Sequence, residues 1–171
     1  SYEKPDYWSQ KAFSEGYPAR SVYKLKEIDE KFGGIIKKNY TVLDLGAAPG
    51  SWTTFLLRKM EGTGTVVSCD LNPLSKNVKG DNLTFIQGDL NAPEIRNHIK
   101  ELGPYDLVVC DAAPKTTGIR MVDTASSEQL VEMAIWYAQT VLKQGGNFAV
   151  KIFQNGDQQK FLKSMRDIFS S

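Results

Sequence analysis

Asp44-Leu45-Gly46-Ala47-Ala48-Pro49-Gly50-Ser51-Trp52 marks the place where an apolar run, Thr41–Leu45, gives way to a helical segment that begins at Ser51. In open parallel sheets that junction is where nucleotides bind, and glycine there lets the backbone approach a ligand closely. Pro49 removes one N–H from the turn, and the G-x-G-x-x-G spacing that cradles a pyrophosphate is absent. Such a turn suits a ligand without phosphates. Acids follow at the ends of the next β-rich runs. Asp70 comes about 20 residues on, where a carboxylate accepts hydrogen bonds from a ribose diol. Asp89 follows Gly88, in position to accept from an adenine amino group, and Asp111 closes the run after it. Any one of them could be a loop or helix-capping aspartate, yet three on successive strand ends beside one glycine turn form a set. Lys151 stands between Val150 and Ile152 inside a further apolar run, where a lysine is costly unless it lies near a strand end and is paired. It is the strongest single candidate for a functional residue.

An adenosine that carries a cation and no phosphate meets these requirements. S-adenosyl-L-methionine, with its sulfonium and amino-acid tail, is therefore the expected cofactor.

The elements that must position these residues can be read from the pattern. Short β-rich runs alternate with helical segments after residue 40, the sign of an α/β fold with a mainly parallel sheet. Strands are expected at Thr41–Leu45, Thr65–Asp70, Leu83–Gln87, Leu107–Asp111 and Asn147–Phe153, and helices around Ser51–Met60, Pro93–Leu102 and Ser126–Leu142. Leu130, Met133, Ala134, Tyr137 and Val141 make one apolar stripe on the last of these, which Gly145-Gly146 should stop. A final helix is expected from about Asp157 to Phe169. Residues 1–40 form a basic, aromatic helical segment in front of the core at 41–171, the whole reading as one domain. Pro18 is placed to start a helix whose buried face is Val22, Leu25, Ile28 and Phe32, with Lys24 on its flank. Tyr2, Tyr7, Trp8, Phe13, Tyr17 and Tyr23 alternate there with Lys4, Lys11, Arg20, Lys24 and Lys26. That mixture can bind phosphates and stack bases, or it can be a helical lid whose aromatics pack on the sheet.

Composition narrows the class. With 41% hydrophobic and 24% charged residues the chain has a globular composition, and no apolar run approaches the roughly 20 residues needed to span a bilayer. No membrane association is expected, and the cytoplasm is the expected address. The chain opens at Ser1 without a Met, so residues upstream are expected. Cys69 and Cys110 each lie in an apolar run and read as core thiols, while His98 stands alone in a polar stretch, so no metal site is expected. A net charge of +1 argues against a uniformly basic nucleic-acid binder, which confines any RNA surface to a local patch.

The motif D-L-G-A-A-P-G-x-W, followed in order by C-D-L, Q-G-D, C-D-A-A-P and V-K-I-F-Q, resembles the FtsJ/RrmJ-type ribosomal RNA (ribose-2′-O)-methyltransferase family over nearly the whole chain, including Ala19-Arg20-Ser21-Val22-Tyr23-Lys24-Leu25. The resemblance implies a Rossmann-like methyltransferase fold with helices on both faces of the sheet. It also implies transfer of a methyl group to a ribose 2′-hydroxyl of RNA, foremost a uridine of large-subunit ribosomal RNA, with transfer RNA and messenger caps as alternatives. By the same resemblance Gly46, Gly50, Trp52, Asp70, Asp89 and Asp111 contact the cofactor, and the first three members of a Lys-Asp-Lys-Glu tetrad fall on Lys24, Asp111 and Lys151. The family's Glu lies on a strand after the final helix, whereas this sequence stops at Ser171. The natural chain is thus expected to continue, because without further strands the last one would be an exposed edge.

The reaction implied is an in-line displacement with a neutral leaving group, so the protein must align the reactants and remove one proton. Lys151 is the expected base, Lys24 the holder of a phosphate or ribose oxygen, and Asp111 the residue that orients Lys151. DNA is excluded as substrate because it lacks the 2′-hydroxyl, and a monomer is the default state. An oxidoreductase using NAD or FAD would need the missing fingerprint. A non-catalytic RNA- or cofactor-binding module would have no reason to set a lysine in an apolar strand beside an acid.

Overall fold

The computed structural model describes the backbone of residues 3–111, 120–154 and 158–162, and the side chains of residues 7–111 and 128–150. Helices α1 (Glu3–Ser14) and α2 (Val22–Lys31) precede β1 (Thr41–Leu45), α3 (Ser51–Met60), β2 (Thr65–Asp70), β3 (Leu83–Gln87), α4 (Pro93–Leu102), β4 (Tyr105–Cys110), α5 (Arg120–Val141), β5 (Leu142–Gln154) and β6 (Gln158–Leu162). The six strands lie in the order β3-β2-β1-β4-β5-β6. The first five are parallel, and β6 pairs antiparallel with β5. Chain order reverses between β1 and β4, the switch point at which open sheets leave a crevice for a ligand.

Alternation along the strands sorts the apolar side chains into two layers. Leu43, Leu45, Val67, Cys69, Val108, Cys110, Phe148 and Val150 point to one face, where Ile99 of α4 and Met133, Ala134, Tyr137, Ala138 and Val141 of α5 cover them. Val42, Val66, Leu107, Val109 and Ala149 point to the other, under Val22, Leu25 and Ile28 of α2 and Trp52, Phe55, Leu56 and Met60 of α3. Helices therefore cover both faces. Among the described residues no helix is long and apolar enough to cross a membrane.

Several boundaries differ from the sequence expectation. Residues Gln158–Leu162 form a strand, not the start of a helix. Pairing with β5 gives that stretch an inter-strand ladder of Gln154↔Gln158 through Val150↔Leu162, and it occupies the edge that the sequence left open. Residues 163–169 of the expected helix lie outside the described residues. Gly145-Gly146 does not cap α5, which ends at Val141. The register instead jumps from Tyr105↔Leu142 to Leu107↔Asn147, and Gly145 at φ 81° supplies the left-handed residue of that irregularity. Helix α2 starts four residues after Pro18, and Phe32 is exposed at its C-terminal end while Asp29 takes the inward place.

Asp29 is a buried acid with a structural task. Its Oδ1 accepts the backbone N–H groups of Ile35 and Ile36 at 2.7 and 3.1 Å, and Lys59 of α3 stands 3.5 Å from Oδ2. It thereby fixes α2 to the segment entering β1. Replacing Asp29 with Ala leaves two buried N–H groups without their acceptor and is expected to cost about 2–3 kcal/mol, read as a lower denaturation midpoint in urea at unchanged slope.

Candidate active site

Gly46 and Gly50 adopt φ values of 70° and 115°, which a side chain would resist, and they bracket the turn between β1 and α3. At Gly50 a Cβ would also stand 2.7 Å from Val78 Cγ2, so the loop after β2 closes directly over the turn. Gly46 and Ala47 donate to the carbonyl of Cys69 at 2.9 and 3.1 Å, and Ser75 donates to that of Pro49. Asp70 locks the arrangement, because its two carboxylate oxygens accept the backbone N–H groups of Ala48 and Asn72 at 2.9 and 2.8 Å. A half-buried carboxylate held from behind in this way keeps lone pairs for a ribose diol.

Asp89 is exposed in the loop after β3, where its Oδ1 takes the N–H of Asn91 at 2.8 Å. The loop is held from below by Tyr137 of α5, whose hydroxyl donates to the carbonyl of Leu90 at 2.6 Å. Asp111 follows β4, half-buried, and its N–H bonds to the carbonyl of Leu45 at the start of the glycine turn. Register places Lys151 level with it: Cys110 pairs with Val150, so Asp111 and Lys151 are the next residues on neighbouring parallel strands. The side chain of Lys151 lies outside the described ones. Lys24 is half-buried on α2, 3.6 Å from Glu27.

Trp52 lies in the first turn of α3, directly after the glycine turn. Its indole is 1% exposed in the α2–α3 core layer, and its ring N–H donates to the carbonyl of Ser21 at 2.8 Å. The large apolar ring is worth more buried than at a wet cleft, so Trp52 bolts α3 to the start of α2. Cys69 and Cys110 are fully buried, and burial with the charges of Asp70 and Asp89 pushes the Cys69 thiol up to about 12, which keeps it inert.

The sequence reading passed over Asp44. It is fully buried on β1, opposite Ser68 on β2, and Thr53 of α3 donates to its Oδ2 at 2.6 Å while lying 3.0 Å from the Ser68 hydroxyl. Its Oδ1 has no hydrogen-bond partner among the described residues. Burial, aided by the charges of Asp111 and Asp70, pushes the carboxyl up to about 7 against the hydrogen bonds from Thr53 and Ser68. The clue was present: an acid inside Thr41-Val42-Leu43-Asp44-Leu45 is as anomalous as a lysine inside the β5 run.

Asp44, Asp70 and Asp111 thus gather at the carboxyl ends of β1, β2 and β4, around a turn that lacks the phosphate cradle. This donor set fits a cationic nucleoside and repels a pyrophosphate. Residues 17–171 match the model of the FtsJ-like methyltransferases. The chain belongs to this family. It is 56% identical over 170 residues to the "Ribosomal RNA large subunit methyltransferase E" of Treponema denticola, covering 99% of this chain and 85% of that protein. With the protein of the same description from Oleidesulfovibrio alaskensis it shares 44% over 168 residues, covering 97% and 80%. A solved ribosomal RNA methyltransferase of Plasmodium falciparum superposes with a TM-score of 0.72 at 26% identity, covering 82% of this chain and 80% of that one. As an FtsJ-like methyltransferase the protein is an S-adenosylmethionine-dependent enzyme that methylates ribose 2′-hydroxyls of RNA.

Asp44 makes the fold pH-sensitive. Its ordinary value of 3.8 is raised to about 7, so between these values the folded protein holds a proton that the unfolded chain has released. Stability therefore falls by up to about 4 kcal/mol as pH rises from 4 to 7, and this contribution is flat above. In Asp44→Asn that decline should disappear, as seen by thermal unfolding of the cofactor-free protein at pH 5 and pH 8.

Proposed function

We propose that the chain methylates a ribose of large-subunit ribosomal RNA, with Lys151 removing the 2′-hydroxyl proton. The observation that carries the assignment of residues is the level placement of Asp111, just past the end of β4, and Lys151 on the neighbouring strand β5, next to the turn that Gly46 and Gly50 bracket. S-adenosylmethionine, when bound, supplies an electrophilic methyl carbon on a positively charged sulfur. Gly46 and Gly50 let the backbone close on it, Asp70 holds its ribose diol, and Asp89 accepts from its adenine. Asp111 orients the Lys151 amine, and Lys24 holds a ribose or phosphate oxygen of the substrate. The names of the Treponema and Oleidesulfovibrio relatives, large-subunit ribosomal RNA methyltransferases, support ribosomal RNA over transfer RNA or a cap. Action on that RNA puts the enzyme in the cytoplasm.

A lysine acts as a base only when neutral, and its ordinary value is about 10.4. The rate should climb from pH 6 towards pH 10, and a flat profile would remove Lys151 from the role. Labelled methyl transferred to ribosomal RNA that lacks the modification should survive alkaline digestion in dinucleotides, because a 2′-O-methyl group protects the adjoining phosphodiester. Lys151→Ala should abolish that label, a loss of at least about a hundredfold, while leaving cofactor affinity intact. Label recovered in mononucleotides would mean methylation of a base.

A further inference from the structure

We propose that Trp8, with Tyr7 and Lys11 on α1, forms a stacking platform that seats an unpaired base of the substrate RNA beside Lys24; this rests on the reading of RNA as substrate. Tyr7, Lys11 and Trp8 occupy one arc of α1, next to the buried Ala12 that faces the core. The indole of Trp8 meets Tyr7 edge-on at 5.3 Å between ring centroids and the ring of Tyr23 at 5.3 Å on a tilt of 59°. Lys11 Nζ lies over both Trp8 and Tyr23, at 5.2 and 5.3 Å from their centroids. Packing accounts for Tyr23 but not for the outward rings, since Tyr7 remains 58% exposed and Trp8 40%. Single exposed hydrophobes are ordinary; an exposed indole that shares one cation with the ring of Tyr23 and abuts the exposed ring of Tyr7 is a recognition surface.

Position and charge select the occupant. Tyr23 is the sequence neighbour of Lys24, and its hydroxyl is bound to Glu15, so the platform is fixed within one residue of a proposed catalytic group. Arg20 and Lys26 are exposed on the same connection and helix, so cations for flanking phosphates are available on the segment that carries Tyr23. Aromatic rings among cations match unpaired nucleotides, whose bases stack while their backbone pairs with the charges. A rigidly held indole also loses little freedom on binding.

Steady-state kinetics with ribosomal RNA and fluorescence with a single-stranded oligouridylate test the platform. Trp8→Ala should raise KM for RNA about tenfold, leave kcat and the cofactor Kd unchanged, and recover most of the loss in Trp8→Phe. A role in packing alone would also reach KM through Tyr23 and Lys24, but it would not produce quenching of Trp8 by the oligonucleotide. Trp52 is 1% exposed and Trp136 is half-buried under Arg96, 4.2 Å from its ring, so quenching by the oligonucleotide should report Trp8 and vanish in Trp8→Phe. Unchanged KM in Trp8→Ala, a Phe variant as impaired as Ala, or no Trp8-dependent quenching would each overturn the proposal. Should Trp8→Ala lose cofactor binding, and with it the fold, the fluorescence of the wild type and Trp8→Phe decides. Quenching needs no turnover. Trp8-dependent quenching without methyl transfer to ribosomal RNA would sink the ribosomal RNA reading and keep the platform, and transfer that ignores Trp8 would do the reverse.

Discussion

Helix α3 grips the connection between α1 and α2 through three donated hydrogen bonds, and the geometry of the enzyme depends on that grip. Ser51 donates to the carbonyl of Ala19 at 3.0 Å, Trp52 to that of Ser21 at 2.8 Å, and Arg58 to that of Glu15 at 2.7 Å. Arg58 also lies 4.4 Å from the centroid of Tyr17. The carbonyls belong to an irregular stretch, where the backbone has few partners of its own, and each bond is worth about 1 kcal/mol net. What they secure is position more than stability. The first turn of α3 emerges from the glycine turn, so the segment carrying Lys24 is referred directly to the proposed cofactor site. Methyl transfer between two bound molecules gains most from such fixed relative placement.

The acids at the sheet's carboxyl end pull in the opposite sense. Burial, with the charges of Asp111 and Asp70, makes Asp44 costly to ionise. An apolar residue there would stabilise the sheet. The network of Asp44, Thr53 and Ser68 is instead retained in the middle of an otherwise apolar layer, beneath the carboxylates of Asp70 and Asp111 that make the crevice electronegative. A site of that polarity favours a sulfonium and an ammonium over phosphates. Stability is given up where the ligand's charge can restore it.

The legibility of this chain follows the physics of each element. Thr41–Leu45, Thr65–Asp70 and Leu83–Gln87 are strands as read, because β-branched and apolar runs end at Gly, Asp or Asn signals. Helices Ser51–Met60 and Pro93–Leu102 are equally plain, the second opening on Pro93. The reading fails where tertiary pairing outweighs local preference. Residues Leu142–Gly146 join β5 through an irregular register, and Gln158–Leu162 becomes a strand because a β5 edge is available to it. The site was legible as a set of residue types on strand ends. The side-chain direction of Trp52 was not, since a motif records position and not which face of a helix is buried. Asp44 was missed although the rule that singled out Lys151 applies to it unchanged.

The placement of single charges, more than their sum, bears on how a chain with 21 basic and 20 acidic residues handles a polyanion. Counterion release by a uniformly basic surface would bind RNA anywhere along its length. Here the carboxylates of Asp70 and Asp111 line the crevice, whereas Arg20, Lys24 and Lys26 stand on the connection and helix that α3 holds beside it. Phosphates are repelled from the cofactor side, while the α2 side interleaves Arg20, Lys24 and Lys26 with Glu15, Glu27 and Glu30 and so offers cations at particular positions without a net field. A nucleotide that meets both keeps its backbone on those cations and presents its sugar towards the acids. The 2′-hydroxyl, neutral and rich in hydrogen-bonding capacity, is the part of RNA that can cross that boundary without cost, and it is the part that accepts the methyl group.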